Sequence, residues 1–307
     1  MRALKLTEMT SHAIKSLFKS FDTILTDCDG VLWLEDDLIK GSETVMNGFR
    51  KMGKRIFFIT NNSSKTRNGA AEKCKKLGFQ AEKEEIISTS YLAASYLTDI
   101  GFKKKVYVFG SSGVTEELKY AGHKSNEPGP DPMVDDLKTL LRSKIKLDPD
   151  VGAVIVAYDD HISLPKIIKA ATYVKDPKCL YLGTSAEGRK IIKGDFSVPG
   201  AGCMAAAVTS CSGRQPVILG KPSEYLMDVL IRKLKVEPGR TLMIGDSART
   251  DIMLGNRCGF QTLLVLSGLT TAHNLQEWQN SQDERYKGYI PNYYVQSLGD
   301  LTPFLAS

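Results

Sequence analysis

The chain has 307 residues, room for about two domains at roughly 150 residues each. Hydrophobic residues make up 42% and charged residues 25%, a soluble globular composition that excludes collagenous, disordered and disulfide-scaffold chains. The net charge of +6 is mild, and Lys and Arg alternate with acids along most of the chain, so no nucleic-acid partner is expected and a small anionic substrate suits the balance.

The longest apolar runs, residues 151–158 and 262–266, are strand-sized and far below the roughly 18 residues that cross a bilayer. No membrane association is expected. The N-terminal segment carries Arg2, Lys5, Lys15 and Lys19 but no hydrophobic signal region, and Glu8 with a single Arg speaks against a mitochondrial presequence. Six cysteines (28, 74, 179, 203, 211 and 258) form no C-x-x-C pair, which fits reduced thiols and a cytoplasmic location. The four histidines are too scattered for a zinc motif.

In chain order, residues 23–26 form a short apolar strand ending in acids. Residues 42–52 read as a helix closed by Gly53, 55–60 as a buried strand, and 66–77 as a helix stopped by Gly78. Further strands are expected at 105–109, 152–158, 179–183, 217–219, 241–244 and 262–266, most of them separated by helical patterns. Alternating β and α with continuous apolar strands predicts an α/β fold with a parallel sheet covered on both faces. Residues 122–135 hold three prolines and two glycines and read as a loop; 194–202 is a second breaker cluster. Between them lies a separate βαβ set, the mark of an inserted unit.

Four apolar strands end in functional polar residues: T-I-L-T-D-C-D-G at Asp27 and Asp29, I-F-F-I-T-N-N-S at Thr60, Asn61 and Asn62, V-I-L-G-K-P-S at Lys221, and L-M-I-G-D-S-A-R-T-D at Asp246 and Asp251. Open α/β sheets bind ligands beyond the carboxyl ends of their strands, so these groups are expected in one crevice. Asp27, Asp29 and Asp246 offer hard oxygen ligands for Mg²⁺. Lys221, Thr60 and Asn61 can stabilise a transferring phosphoryl group, and two carboxylates two residues apart can serve as nucleophile and acid/base.

A D-x-D pair by itself also occurs by chance or in sugar-nucleotide metal sites; the three further strand ends, in order, decide for catalysis. G-K-P-S superficially resembles a P-loop, but Gln215 stands where the first glycine is required and Pro222 follows the lysine. Residues 200–205 fit G-x-G-x-x-A without the acid that a dinucleotide site needs, and are read as a hinge from the inserted unit back to the first domain. Cys28, between the two acids, is expected to face the core.

The four segments resemble motifs I to IV of the haloacid dehalogenase superfamily. D-C-D-G-V-L-W, T-N-N-S, P-G-A-G-C, L-G-K-P-S and Y-Y-V-Q-S-L are similar, in order, to its eukaryotic branch of phosphoglycolate/glycerol-3-phosphate, pyridoxal phosphate and 4-nitrophenyl phosphatases. That resemblance implies a Rossmann-like core with a parallel sheet (residues 1–102 and 210–307) and an inserted large α/β cap (103–209). It implies a Mg²⁺-dependent phosphatase of small-molecule phosphate monoesters. Asp27 would be the nucleophile that becomes an aspartyl-phosphate, and Asp29 the general acid/base. Thr60, Asn61, Asn62 and Lys221 would bind phosphate, Asp27, the Asp29 carbonyl and Asp246 would hold the metal, and Asp251 would anchor Lys221 or a metal-bound water. A homodimer through the cap is a further implication.

The sequence departs from the family in two places. Ser247, Ala248 and Arg249 replace the usual arginine, leucine and acid, leaving that loop one charge more positive. The cap loop reads Thr184-Ser185-Ala186-Glu187-Gly188-Arg189-Lys190, where Arg189 and Lys190 can reach a second anionic group on the substrate or simply be solvated. These departures leave two alternatives, a catalytically weakened paralogue that binds or regulates, and phosphoryl transfer to an acceptor other than water.

Overall fold

The computed structural model describes residues 2–133 and 136–305. The apolar runs assemble into two parallel sheets. The larger orders its seven strands as Leu4–Lys5, Tyr293–Val295, Gln261–Val265, Thr241–Gly245, Thr23–Thr26, Arg55–Thr60 and Ile86–Ser88, every neighbouring pair parallel. After the edge strand Leu4–Lys5, the chain lays down Thr23–Thr26 at the centre, fills one side with Arg55–Thr60 and Ile86–Ser88, and returns to fill the other from Thr241–Gly245. The strand order therefore reverses between these two neighbours, and their carboxyl ends border a crevice.

Alternation along the strands supplies both faces. Ile24, Phe58 and Ile244 join one cluster with Phe18, Phe49 and Leu298, whereas Leu25, Phe57, Ile59 and Met243 join another with Leu92, Leu97 and Leu226. Helices Ser11–Ser20, Ser42–Lys51 and Arg67–Lys76 cover the first face. Thr89–Asp99 lies on the second. The N-terminal twenty residues belong to this body: Leu4 and Lys5 pair with Tyr293 and Tyr294, and Ile14, Leu17 and Phe18 are buried.

The smaller sheet orders Val217–Ile218, Leu180–Gly183, Val151–Val156 and Lys105–Phe109, also all parallel. Its Val106, Val108, Ala153, Ile155 and Leu182 share the apolar cluster of Leu25 and Phe57. The opposite face, with Tyr107, Phe109, Val154 and Tyr181, packs on helices Leu164–Val174 and Ala201–Ser212. One continuous apolar layer thus seats the second sheet on the first.

The expected division at 102/103 falls in the turn before Lys105–Phe109. The one at 209/210 falls inside helix Ala201–Ser212, and the small sheet still takes its edge strand from Val217–Ile218. The breaker cluster at 194–202 also has more structure than expected. Val198–Pro199 pairs antiparallel with Arg189–Lys190, and Gly200 begins helix Ala201–Ser212. Gly200 is consequently not a hinge back to the first domain, because Met204, Ala205 and Val208 of that helix are buried in the small sheet's own cluster. In the expected loop at 122–135, Asn126 borders the edge strand, accepting from the Val108 N–H at 2.6 Å and donating to its carbonyl at 3.1 Å; residues 134 and 135 lie outside the described residues. This side chain satisfies backbone groups that an open sheet edge would leave unpaired.

Two short hairpins complete the frame, Trp33–Leu34 with Asp37–Leu38 and Arg189–Lys190 with Val198–Pro199. An ion pair between Asp37 and Lys193 ties one to the other. Beneath the large sheet, Phe18, Phe21 and Phe49 meet edge to face, with centroids 5.1 Å (Phe18–Phe49) and 5.9 Å (Phe21–Phe49) apart. Phe49→Ala empties the centre of that trio and should lower unfolding free energy by about 3–5 kcal/mol, read from urea denaturation midpoints.

Candidate active site

The crevice at the reversal point is lined by Asp27, Asp29, Thr60, Asn61, Asn62 and Asp246 from the large-sheet side. Tyr158, Ser185, Glu187, Arg189 and Lys190 line it from the small-sheet side, around a cavity of about 90 Å³. Lys221 and Asp251 lie beneath its floor, 1% and 0% exposed. All the residues expected from sequence therefore converge, eight on the wall and two behind it.

Lys221 organises the floor. Its ammonium lies 2.7 Å from Asp27 Oδ1, 2.7 Å from Asp251 Oδ1 and 3.0 Å from the Ile59 carbonyl. The ammonium donates to the Ile59 carbonyl and is ion-paired with both carboxylates, so any phosphoryl contact is made by sharing this one charge. Burial works against this charge, but the carboxylates of Asp251, Asp27 and Glu187 outweigh it and hold the Lys221 pKa above its ordinary value.

Asp27 leaves the end of its strand with Oδ1 accepting the Cys28 N–H at 2.7 Å and ion-paired with Lys221 at the same distance. Its other oxygen meets no protein donor among the described residues. Cys28 itself is 3% exposed and packs in the large-sheet core, as expected. After Asp29 the backbone turns through Gly30 at φ 87°, where a Cβ would also come within 2.7 Å of Asp246 Oδ2; only glycine meets both demands. The Asp29 carbonyl takes no hydrogen bond among the described residues. Burial and the neighbouring Asp27 push the Asp29 carboxyl up from the usual range.

The residues after Thr60 are shaped by their own side chains. Thr60 Oγ1 accepts the Asn62 N–H at 3.1 Å, and Asn62 Oδ1 accepts the Ser64 N–H at 2.9 Å. Asn61 Oδ1 accepts the Lys221 backbone N–H at 2.9 Å, while its Nδ2 is buried without a partner. An amide donor left in this state invites an anionic ligand oxygen. Gly220 makes the junction feasible: a Cβ there would stand 2.4 Å from Asn61 Oδ1 and 2.5 Å from the Thr184 carbonyl.

One carboxylate oxygen from each of Asp27, Asp246 and Asp251 lies within 4.8 Å of the other two. Burial, then repulsion from Asp27 and Asp251, drives the Asp246 pKa well above its usual value; burial raises Asp251 to about 7 despite Lys221. Both Asp251 oxygens are engaged, by Lys221 and by the Ser247 N–H at 3.1 Å. Asp246 uses only Oδ2, which accepts from Leu269 N–H at 2.7 Å. The loop that departs from the family keeps its packing: Ala248 N–H donates to Thr270 Oγ1 at 3.0 Å, and Arg249 projects into solvent.

Tyr158, Ser185 and Glu187 were not singled out from sequence. Tyr158 follows the same pattern as the four motifs, an apolar strand ending in a polar group, and that pattern would have found it. Glu187 left no signal: its half-buried place depends on a loop whose Glu187 carbonyl accepts the Gly202 N–H at 2.8 Å, fifteen residues on. Burial and Asp27 raise the Glu187 carboxyl pKa against the pull of Lys221.

Comparison with known proteins places this geometry in a family. A family model described as haloacid dehalogenase-like hydrolase matches residues 24–124, and a second, HAD-like model matches residues 218–301. The chain belongs to the haloacid dehalogenase-like hydrolases. It is 36% identical over 300 residues to glycerol-3-phosphate phosphatase of Gallus gallus (97% of this chain, 96% of the relative). It is 38% identical over 303 residues to phosphoglycolate phosphatase 2 of Arabidopsis thaliana (97% and 98%). The p-nitrophenyl phosphatase from Archaeoglobus fulgidus superposes with a TM-score of 0.76 at 26% identity, covering 92% of this chain and 99% of that one. Within the family, this protein is a phosphatase.

Lys221→Met would leave Asp27, Asp246 and Asp251 facing one another with no counter-charge. At neutral pH the loss should be about 3–5 kcal/mol. The folded state would then bind more protons than the unfolded chain above about pH 4, so the penalty should deepen as pH rises from 5 to 8. Thermal unfolding across that range checks it.

Proposed function

We propose that the protein is a Mg²⁺-dependent phosphatase of small phosphate monoesters that works through an aspartyl-phosphate at Asp27. The observation that carries this is the Lys221 ammonium bridging Asp27 and Asp251 at 2.7 Å each, with Asp246 beside them and the Asn61 amide nitrogen unpartnered.

The donor set fits a divalent cation. Three buried carboxylates that repel one another, with raised pKa values at Asp246 and Asp251, are relieved by a hard cation with oxygen ligands. Asp27, Asp246 and the free carbonyl of Asp29 would hold it, and both oxygens of Asp251 are already engaged in anchoring Lys221 and the loop at Ser247. When bound, Mg²⁺ supplies the positive charge that lets a carboxylate approach a phosphate dianion.

Asp27 attacks phosphorus, so that an Asp27 O–P bond forms as the ester P–O bond breaks. Asp29, whose carboxyl burial pushes up from the usual range, gives its proton to the departing alkoxide. It then takes a proton from the water that attacks phosphorus, and the Asp27 O–P bond breaks to release phosphate. Thr60, Asn61 and Asn62 hold the phosphoryl oxygens, and Lys221 offsets the charge on Asp27.

A cavity of about 90 Å³ has room for a small ester, since one water needs roughly 10–15 Å³ on such a measure. Glycerol 3-phosphate and phosphoglycolate are supported by the names of the relatives; pyridoxal phosphate and p-nitrophenyl phosphate are further substrates of the same type. Arg189 and Lys190 line the mouth without a carboxylate partner among the described residues, and the Lys190 ammonium rests 4.4 Å from the centre of the Tyr158 ring. Two unpaired cations there favour a leaving group with its own anionic end. A homodimer through the cap is supported by apolar side chains left exposed on it, Tyr120, Ile162 and Leu164 among them. Six free thiols support a cytoplasmic location. No helix among the described residues is long and apolar enough to cross a membrane.

Asp27→Asn should lower p-nitrophenyl phosphate turnover by roughly 10³-fold or more with the thermal midpoint kept, and EDTA should abolish activity in the parent until Mg²⁺ is restored. Parent-like turnover in that variant would remove Asp27 as nucleophile. Arg189→Gln and Lys190→Gln should each raise KM for a carboxylate-bearing ester about tenfold, one charge-assisted hydrogen bond's worth, and change p-nitrophenyl phosphate kinetics less than about threefold.

A further inference from the structure

We propose that Trp33 is the positioning residue for Asp29, dictating which of its carboxyl oxygens delivers the proton; this rests on the acid/base role given to Asp29 above. The backbone brings the two side chains together. Gly30 N–H donates to the Trp33 carbonyl at 2.7 Å, while the N–H groups of Val31, Leu32 and Trp33 all turn toward the Cys28 carbonyl, at 3.3, 2.8 and 3.3 Å. The chain curls back on itself, and Trp33 stands beside the residue four places earlier.

There its indole Nε1–H donates to Asp29 Oδ1 at 3.0 Å. The ring is not free to leave. Phe79 meets it edge to face at 5.8 Å and 72°, the Lys73 ammonium lies 4.8 Å from its centroid, and Trp33 is 4% exposed. Lys73 is itself restrained by Asp36, 3.4 Å away on the hairpin that Trp33 begins. Behind Asp29 a small cavity of about 30 Å³ borders Trp33, Lys73 and Asn62, so packing alone does not immobilise the carboxyl; the indole bond orients it on one side, with the Asn62 side chain as a second, polar neighbour.

An indole N–H can donate but has no lone pair to accept with. Oδ1 therefore serves as an acceptor in both protonation states, and the proton of the acid form resides on Oδ2. That division presents a carboxylic O–H in one orientation instead of two, which matters only in the step that transfers the proton. Substrate binding through Thr60, Asn61 and Asn62 does not depend on it.

Leaving groups separate this role from a general structural one. A p-nitrophenolate departs without being protonated, whereas an alkoxide needs the acid. For Trp33→Phe, kcat/KM for an alkyl phosphate (glycerol 3-phosphate or phosphoglycolate, whichever the parent turns over) should fall about 10- to 100-fold, part of the 10²–10⁴ a positioned acid contributes. The same ratio for p-nitrophenyl phosphate should fall less than about threefold, and KM should stay near the parent value for both. Phe79→Leu keeps the indole N–H but loosens its ring, and should show the same selective loss at smaller size. Equal losses on both substrates in a variant with a parent-like thermal midpoint, or no loss on the alkyl ester, would overturn the proposal. If Trp33→Phe does not fold, the Phe79→Leu result decides by the same criteria. Asp29→Asn serves as the companion: if it retains alkyl-ester turnover, the acid/base assignment fails; if it is inactive while Trp33→Phe and Phe79→Leu match the parent, only the positioning role fails.

Discussion

A single ammonium sealed from water holds the centre of this molecule together. Lys221 reaches the carboxyl end of three different strands of the large sheet: Asp27 after Thr23–Thr26, the Ile59 carbonyl in Arg55–Thr60, and Asp251 beyond Thr241–Gly245. Taking one ammonium and two carboxylates out of water is costly, and only close, fully hydrogen-bonded geometry offsets it. The arrangement tolerates little movement, and the strand ends around it inherit that rigidity. Lys221 enters from the small-sheet side, three residues past Ile218 at the end of Val217–Ile218, so the same contact seats one sheet upon the other.

Charge is distributed unevenly around the cavity, and the imbalance has chemical content. The floor gathers carboxylates, with pKa values at Asp246 and Asp251 raised by burial first and by the neighbouring Asp27 charge after it. The rim gathers Arg189 and Lys190, and Glu187 extends between floor and rim. A phosphate ester with a cation beneath it and an anionic tail toward the rim would complement this field. The two hairpins, joined through Asp37 and Lys193, bring the rim close to the turn that carries Asp29 and Trp33. Access to the reacting centre and the orientation of its acid are therefore controlled by neighbouring pieces of chain.

The parts legible in the sequence share a property: each is encoded within a few residues. Runs such as R-I-F-F-I-T can only be strands buried on both faces, and the structure has them there, at Arg55–Thr60 with all but Arg55 buried. The polar residues at their ends converge because parallel strands share one carboxyl edge. The short strands Leu4–Lys5, Ile86–Ser88 and Tyr293–Val295 carry too few residues for a period to show. The 194–202 cluster reads as breakers, yet Val198–Pro199 pairs there because Arg189–Lys190 offers a partner that no local pattern announces.

The sequence by itself determined the α/β class, the order of the strand ends and the polar groups placed on them, since hydrophobic period and residue chemistry are local properties. Only the tertiary structure decided what those groups do to one another. It brought Lys221 against Asp27 across nearly two hundred residues, turned Arg249 outward and Glu187 inward, and set the Trp33 indole on one oxygen of Asp29. Such pairings depend on the twist of the sheets, the apolar layer between them and the space that Gly30 and Gly220 leave open, none of which a stretch of chain specifies until the rest has packed around it.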